Sequence, residues 1–140
     1  MRIRPFDVAD EDAVIALWHA CDLVRPWNDP RRDIERKLGT QRELFLVGEL
    51  DDRLVASVMA GFDGHRGWVN YLAVAPEWRR SGFGRALMEH VESRLRERGC
   101  PKLNLQVRAA NPDAVAFYRR LGYSPDEVVS MGKRLIPDEA

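Results

Sequence analysis

Three arginines and two closely spaced glycines occur together in segment 79–85, which reads Arg-Arg-Ser-Gly-Phe-Gly-Arg. A guanidinium group binds phosphate oxygens through paired hydrogen bonds, and glycine allows the main chain to approach a ligand closely. The segment precedes a stretch with helical periodicity, and the first amides of a helix lack intrahelical acceptors and lie at its positive dipole end. The combination predicts a pyrophosphate site, although glycine turns before helices are also common for purely structural reasons.

The glycine spacing argues against two familiar nucleotide loops. No Gly-Lys-Ser or Gly-Lys-Thr follows, and the pattern is not Gly-x-Gly-x-x-Gly, so neither a nucleoside triphosphate loop nor a nicotinamide or flavin dinucleotide site is indicated. Charge favours an anion in this part of the chain, because residues 66–120 contain eleven basic and five acidic groups, a net charge of +6. The alternative is a solvated helix face that happens to carry arginines.

The elements that must position this segment alternate irregularly between strand and helix. Period-2 and period-3.6 apolar patterns and the capping residues predict strands at 3–6, 44–50, 54–60, 68–74, 103–107 and 128–135, and helices at 10–21, 30–38, 82–98 and 112–121. The nearly continuous apolar run at 68–74 predicts a central, buried strand. The whole chain, residues 1–140, is expected to form one mixed α/β sandwich domain.

Composition excludes several classes of protein. The 140 residues are 45% hydrophobic and carry no net charge, which argues against a disordered chain and against a non-specific nucleic-acid binder. No apolar run is long enough to span a bilayer, and the first ten residues show no secretory signal. Cys21 and Cys100 have no metal-site spacing, so no metal is expected, and we predict a reduced, cytoplasmic setting.

Two motifs in order resemble those of the GNAT superfamily of N-acetyltransferases. The first, Arg-x-x-Gly-x-Gly, is formed here by Arg79, Gly82 and Gly84, directly after a strand-like run at 70–78. The second, at 111–123, reads Asn-Pro-Asp-Ala-Val-Ala-Phe-Tyr-Arg-Arg-Leu-Gly-Tyr. Segments 21–30, 63–67 and 132–135 are similar to the YpeA-type branch of bacterial GNAT acetyltransferases, so the resemblance covers the whole chain.

The resemblance implies a fold and a donor. The fold is a three-layer α/β (α+β) sandwich whose central, mostly antiparallel sheet splays between its fourth and fifth strands, with helices on both faces. The donor is acetyl-CoA, held at a bulge in the fourth strand and at the following helix, without a metal. The cofactor-binding positions it implies are Leu72, Ala73, Val74, Arg79, Arg80, Ser81, Gly82, Phe83, Gly84, Arg85, Asn111 and Tyr118.

Catalytic roles follow from the same resemblance. Tyr118 occupies the position of the tyrosine that protonates the departing sulfur, although its spacing with Ala114, Phe117 and Leu121 also fits an apolar helix face. The strand glutamate that serves many members as a base is replaced here by Trp68. The remaining candidate bases are Asp63, His65 and Glu77, acting directly or through water.

The acceptor pocket is expected beside the first two helices and their connecting loop, which flank it in the family. Its candidate residues are Trp27, Asn28, Asp29, Asp33 and Asp63. Trp27 is equally compatible with a packing role, and Asp29 with a helix cap before Pro30.

The predicted function is direct transfer of an acetyl group to a primary amine of a small molecule or peptide. A non-catalytic acyl-CoA sensor or regulatory module with the same fold is the alternative. No nucleic-acid or membrane partner is expected, and the resemblance makes a homodimer plausible.

Overall fold

The protein is organised around an open five-stranded sheet with strand order β1-β2-β3-β4-β5 in a computed structural model that describes residues 1–138. Neighbouring strands are antiparallel from β1 to β4, and β5 runs parallel to β4. The elements in chain order are β1 (Arg2–Pro5), α1 (Glu11–Ala20), α2 (Pro30–Leu38), β2 (Phe45–Leu50), β3 (Arg53–Phe62), β4 (Gly67–Val74), α3 (Phe83–Glu97), β5 (Leu103–Leu105) and α4 (Pro112–Arg120).

Local sequence signals set most of these boundaries. Asp29 accepts a hydrogen bond from the Arg31 amide and caps α2, whose first residue is Pro30. Asn111 accepts from the Ala114 amide and caps α4 in the same way. The β2–β3 hairpin turns through Asp51 and Asp52, both with positive φ, as a tight two-residue hairpin turn requires.

Helices cover both faces of the sheet, as the three-layer prediction required. Helix α1 packs on one face, where the buried Trp18 ring stacks on Tyr71 and its Nε1–H donates to Ser57 Oγ at 2.9 Å. Helix α3 covers the other face through a stripe of buried side chains formed by Leu87, Met88, Val91 and Leu95. The buried apolar side chains form one contiguous core, which the strands of the sheet share with both helix layers.

Strands β4 and β5 separate along their length. Their parallel pairing ends at Val69 and Leu105, while β4 continues to Val74. On its other edge β4 pairs with β3, but the register slips: Asn70 faces Met59 and Ala73 faces Ser57, so β4 contains one extra residue. This bulge centres on Tyr71, whose φ is +53°. We call the gap between residues 70–74 and the chain after Leu105 the β4–β5 opening.

The expected burial of β4 is only partly observed. Its burial alternates along the strand, with Asn70 exposed and the Trp68 residue 39% exposed. The reason is that neighbouring elements leave two openings along the strand, one lined by Trp68 beside β5 and one lined by Asn70 on the α2 side.

The predicted strand at 128–135 is wrong. Among residues 1–138 no strand follows α4, and residues 126–138 run from β5 to α2 without main-chain pairing to the sheet. Side chains make the contacts instead: Lys102 and Asn104 donate to Asp126, and Gln106 donates to Ser130. The apolar residues that suggested a strand, Val128, Val129, Met131 and Leu135, are 76%, 86%, 90% and 85% exposed. A three-residue β5 offers too short an edge to order another strand.

No helix within the described part of the chain is long and apolar enough to cross a bilayer.

Candidate active site

Residues 79–85 form the turn that leads into α3 and its first helical residues, and we call this segment the cradle. Gly82 precedes the helix with a φ of +85°, and a Cβ built there would meet no atom within 4 Å. The first hydrogen bond into the helix runs from the Ala86 amide to the Gly82 carbonyl at 3.0 Å. The amides of Phe83, Gly84 and Arg85 therefore have no acceptor within the helix and lie at its positive dipole end.

Arginine side chains surround this cradle on the solvent side. Arg79, Arg80 and Arg85 are all exposed, and within residues 1–138 neither Arg79 nor Arg80 forms an ion pair. Arg80 adopts a φ of +65°, unusual for a residue with a side chain. The Ser81 hydroxyl donates to the Trp78 carbonyl and closes the turn. Arg79 and Arg80 are thus available to an anion, whereas Arg85 lies 3.7 Å from the Glu89 carboxylate on the same helix.

The two glycines of the cradle serve different purposes. Gly84 is buried inside α3, and a Cβ there would lie 3.0 Å from the Phe117 ring and 3.7 Å from Val74. Its small size lets α4 pack closely against α3, which is a structural requirement. Gly82, by contrast, has open space around it and a left-handed backbone.

Tyr118 lies one residue after this α3–α4 contact and borders a separate cleft of about 970 Å³, the β5 cleft, between α3, β5, α4 and residues 124–131. The Tyr118 hydroxyl makes no hydrogen bond to another described residue. Every fully buried side-chain oxygen among those residues has a hydrogen-bond partner, so the Tyr118 oxygen must be in contact with solvent. Burial of the ring raises the pKa of Tyr118 to about 12, which keeps the phenol protonated at neutral pH. None of residues 72–85 lines the β5 cleft.

A second cleft, of about 440 Å³, opens on the α1–α2 face of the sheet. We call it the α2 cleft. Helix α2 supplies most of one wall and strands β3 and β4 supply the floor. It is lined by Asn28, Asp33, Arg36, Lys37, Thr40, Met59, Asn70 and Tyr71.

The α2 cleft contains some of the predicted acceptor residues and not others. Asn28 and Asp33 line it, with Asn28 accepting a hydrogen bond from Arg134 at 2.6 Å. Trp27 is 48% exposed beside it. Asp29 caps α2, so its capping role is confirmed, and its own amide donates to Asp138 at 2.9 Å.

The structure does not bring the candidate bases to the α2 cleft. Asp63 and His65 lie in the exposed turn between β3 and β4, at the opposite end of β4 from the bulge. Asp63 accepts from the amides of Arg66 and His65, and these bonds lower its pKa. Glu77 is exposed in the turn between β4 and the cradle.

Tyr71 and Asp138 are the site residues that sequence analysis missed. The Tyr71 hydroxyl donates to Asp33 Oδ2 at 2.6 Å, and burial together with this carboxylate raises the pKa of Tyr71. Asp138 accepts from Arg36 on α2 at 2.5 Å, and its side chain is only 1% exposed. Both contacts join residues far apart in sequence, so no local pattern could have indicated them.

Within residues 1–138, no three His, Cys, Asp or Glu side chains are grouped so that they could hold a metal ion. Cys21 and Cys100 are free thiols.

Comparison with known proteins identifies the family. The model of the acetyltransferase (GNAT) family matches residues 13–123. An acetyltransferase of Yersinia enterocolitica is 50% identical over 139 residues, covering 99% of both chains. Among solved structures, an aminoglycoside acetyltransferase from a soil metagenome, in complex with sisomicin, superposes with a TM-score of 0.78 at 19% identity over 96% of each chain. The ribosomal-protein-S18-alanine N-acetyltransferase of Escherichia coli gives a TM-score of 0.71 at 25% identity over 86% of this chain and 76% of its own. The motifs, the splayed sheet and these matches agree: the chain belongs to the GNAT family of acetyltransferases.

Proposed function

We propose that this acetyltransferase uses acetyl-CoA and transfers the acetyl group directly to a primary amine. The observation that carries the proposal is the joint placement of a bulge in β4 and an unpaired α3 N-terminus at one end of the β4–β5 opening. A bulge exposes main-chain groups that a regular ladder would satisfy, and a helix N-terminus binds anions. The two features are suited to the thioester end and the diphosphate end of one elongated donor.

The cradle supplies the diphosphate contacts in this proposal. Main-chain amides from Gly82 to Arg85 and the guanidinium groups of Arg79, Arg80 and Arg85 bind phosphate oxygens. The main chain of Leu72, Ala73 and Val74 borders the opening and binds the pantetheine and the thioester carbonyl. A donor amide aimed at that carbonyl oxygen would stabilise the tetrahedral oxyanion formed during transfer.

In this proposal the thioester sulfur lies at the edge of the β4–β5 opening that faces the β5 cleft, where Tyr118 supplies the proton as the sulfur departs. A phenol with a pKa near 12 is neutral at physiological pH and can donate a hydrogen bond or a proton to a thiolate. Asn111, besides capping α4, is a further donor-binding residue in this proposal. We place the reaction in the cytoplasm, where both cysteines stay reduced.

The acceptor is a primary amine on a peptide or small molecule. Solved relatives of the fold include an enzyme for an N-terminal alanine and one bound to sisomicin, and these define the classes worth testing. The α2 cleft is lined by one carboxylate, Asp33, together with Arg36 and Lys37, and Asp33 is the group there that would bind a cationic amine.

The test is thiol release from acetyl-CoA with a panel containing a short peptide with an N-terminal alanine, sisomicin and spermidine. We expect at least one amine to release free CoA above the rate of the buffer control, with mass spectrometry showing the acetylated amine. Tight acetyl-CoA binding by calorimetry without turnover on any amine would favour the sensor alternative. Absence of both binding and turnover would remove the proposal.

A further inference from the structure

The bulge in β4 also shapes the α2 cleft. In a regular strand successive side chains point to opposite faces of the sheet. Here Asn70 and Tyr71 are consecutive, yet both line the α2 cleft, because the left-handed backbone of Tyr71 turns its side chain to the same face. A φ of +53° is costly for an aromatic residue, and such strain concentrates at functional sites.

Tyr71 is held firmly in this strained position. Its ring stacks on Trp18 with centroids 3.8 Å apart, and its carbonyl accepts from Ser57 Oγ at 3.1 Å. Ser57 in turn accepts from the Trp18 indole. Both Trp18 and Ser57 are fully buried, so the Tyr71 phenol has a fixed direction, and it points at Asp33.

Asp33 is anchored without being enclosed. One carboxylate oxygen accepts from Tyr71 at 2.6 Å and the other from Arg36 at 3.0 Å. Arg36 makes its shorter ion pair with Asp138, at 2.5 Å. The Asp33 side chain remains 23% exposed, and it borders the α2 cleft.

We propose that Asp33 is the catalytic base of the transfer, that it binds the ammonium of the acceptor in the α2 cleft, and that Tyr71 positions its carboxylate. The inference rests on the proposed function and deepens it. The bulge thereby serves both substrates: its main chain faces the donor and its side chain orients the base. Asp33 takes over the role that the strand glutamate, replaced here by Trp68, would have filled.

The proton and electron balance is simple. The acceptor ammonium gives one proton to the Asp33 carboxylate, which later passes it to water. The freed nitrogen lone pair attacks the thioester carbon, the C–N bond forms, and the C–S bond then breaks. The second proton leaves the nitrogen, and a proton reaches the departing CoA sulfur, so that one proton is released overall.

Three other charged side chains surround Asp33 and influence how the rate depends on pH. Arg36 and Lys37 face the cleft from α2, and Asp138 approaches from residues 126–138. Lys37 is buried and donates to the Ala60 carbonyl, and burial lowers its pKa. Arg36 is paired with Asp138 and with Asp33, and the Lys37 ammonium is directed to the Ala60 carbonyl, so the Asp33 carboxylate is the anionic group of the cleft lining that can meet an incoming ammonium.

The test is the pH profile of kcat/KM for the best amine of the panel, measured for the parent and for Asp33→Asn. We expect Asp33→Asn to lose about 100-fold at neutral pH, within the usual range for loss of a general base. Its rate should then rise about tenfold per pH unit, because the variant depends on amine already deprotonated in solution. Acetyl-CoA affinity and melting temperature should stay close to those of the parent.

Two further variants keep the test decisive. Glu35→Gln removes the same charge from an exposed position of the same helix and should behave like the parent. Tyr71→Phe removes only the hydrogen bond, and its kcat for the amine should fall about tenfold with little change in KM, because the carboxylate loses the group that positions it.

An active parent whose Asp33→Asn variant keeps the parental rate and profile would overturn this inference alone. A parent inactive with every amine would overturn it together with the proposed function. A Tyr71→Phe variant with the parental kcat and KM would remove the positioning role of Tyr71.

Discussion

The donor site and the acceptor site proposed above, which flank the β4 bulge, are formed by different kinds of chemical group. On the donor side, the cradle consists of main-chain amides and exposed arginines within seven consecutive residues. On the acceptor side, the α2 cleft consists of side chains from α2, β3 and β4, with residues 134 and 138 holding its rim. One side depends on local backbone geometry, and the other on contacts between residues as many as 109 positions apart.

This difference matches what each substrate presents. A diphosphate is the same in every donor molecule, and main-chain amides bind it without regard to side-chain identity. An acceptor varies from enzyme to enzyme, so its site is formed by side chains that can change while the sheet is retained. Three substitutions test this contrast, because each should impair the function of one proposed site and leave the other site unchanged.

The largest effect is expected from Gly82→Val. Valine is rarely found at positive φ, and its side chain would project into the space through which a phosphate approaches. Loss of two charged hydrogen bonds, at about 1.5 kcal/mol each, predicts about 100-fold weaker acetyl-CoA binding, measured by calorimetry.

Gly99→Val is the matched control, because Gly99 also has a positive φ and open space around it but lies beyond the C-terminal end of α3. Both variants should lose similar stability in thermal denaturation, and only Gly82→Val should lose the donor. Equal acetyl-CoA affinity in the two variants would contradict the cradle.

A smaller effect is expected from Tyr118→Phe. Removing the phenol should lower kcat about tenfold, less than the ~100-fold common for a general acid, because a thiolate leaves readily and water can protonate it. The affinity for acetyl-CoA should change far less than turnover. Tyr123→Phe is the control, since the Tyr123 hydroxyl donates to Glu92 on α3. An unchanged kcat would leave Tyr118 with a packing role only.

The smallest effect is expected from Asp138→Asn, which weakens the contact between residues 126–138 and α2. The KM for the amine should rise about twofold to fivefold, in keeping with a partly exposed ion pair, while acetyl-CoA affinity stays unchanged. Asp126→Asn alters the same segment at its β5 end, where Asp126 accepts from Lys102, and should leave the KM for the amine unchanged.

Asp138 also predicts a pH dependence of stability. Its hydrogen bonds from Arg36 and the Asp29 amide lower its pKa from 3.8 to about 2. The native state therefore binds this proton less readily than the unfolded chain, so the contribution is present above about pH 4 and disappears as the pH falls through about 2. The difference in melting temperature between the parent and Asp138→Asn should shrink over that range. A constant difference would contradict the contact.

Sequence reasoning succeeded where information was local. The caps at Asp29 and Asn111, the start of α3 after Gly82 and the order of the first nine elements all follow from residues within a few positions of one another. The splay of β4 and β5 came from family resemblance, and the register confirms it. The strand predicted at 128–135 failed because alternating apolar residues form a strand only where a neighbouring edge is available to pair.

The contacts that form the proposed acceptor site could not be predicted from the sequence, because they join residues that are distant along the chain. From the sequence, Tyr71 is indistinguishable from the other residues of the predicted buried strand. Its φ of +53° accompanies the register slip between β4 and β3. Its partner Asp33 lies 38 positions earlier in the chain. The spacing of glycines indicates a local backbone conformation. A contact between two side chains that are distant in the chain is not indicated by the sequence around either residue.

The hydrogen bond from the Asp29 amide to Asp138 has a consequence for the order of folding. Joining residues 109 positions apart costs more chain entropy than forming the hairpins or the β4–α3 unit, so this contact should be made late. The donor half of the protein can then consolidate first, from elements adjacent in the chain. During refolding, we therefore expect the amides at the start of α2 to gain protection from hydrogen exchange later than those of β4 and α3.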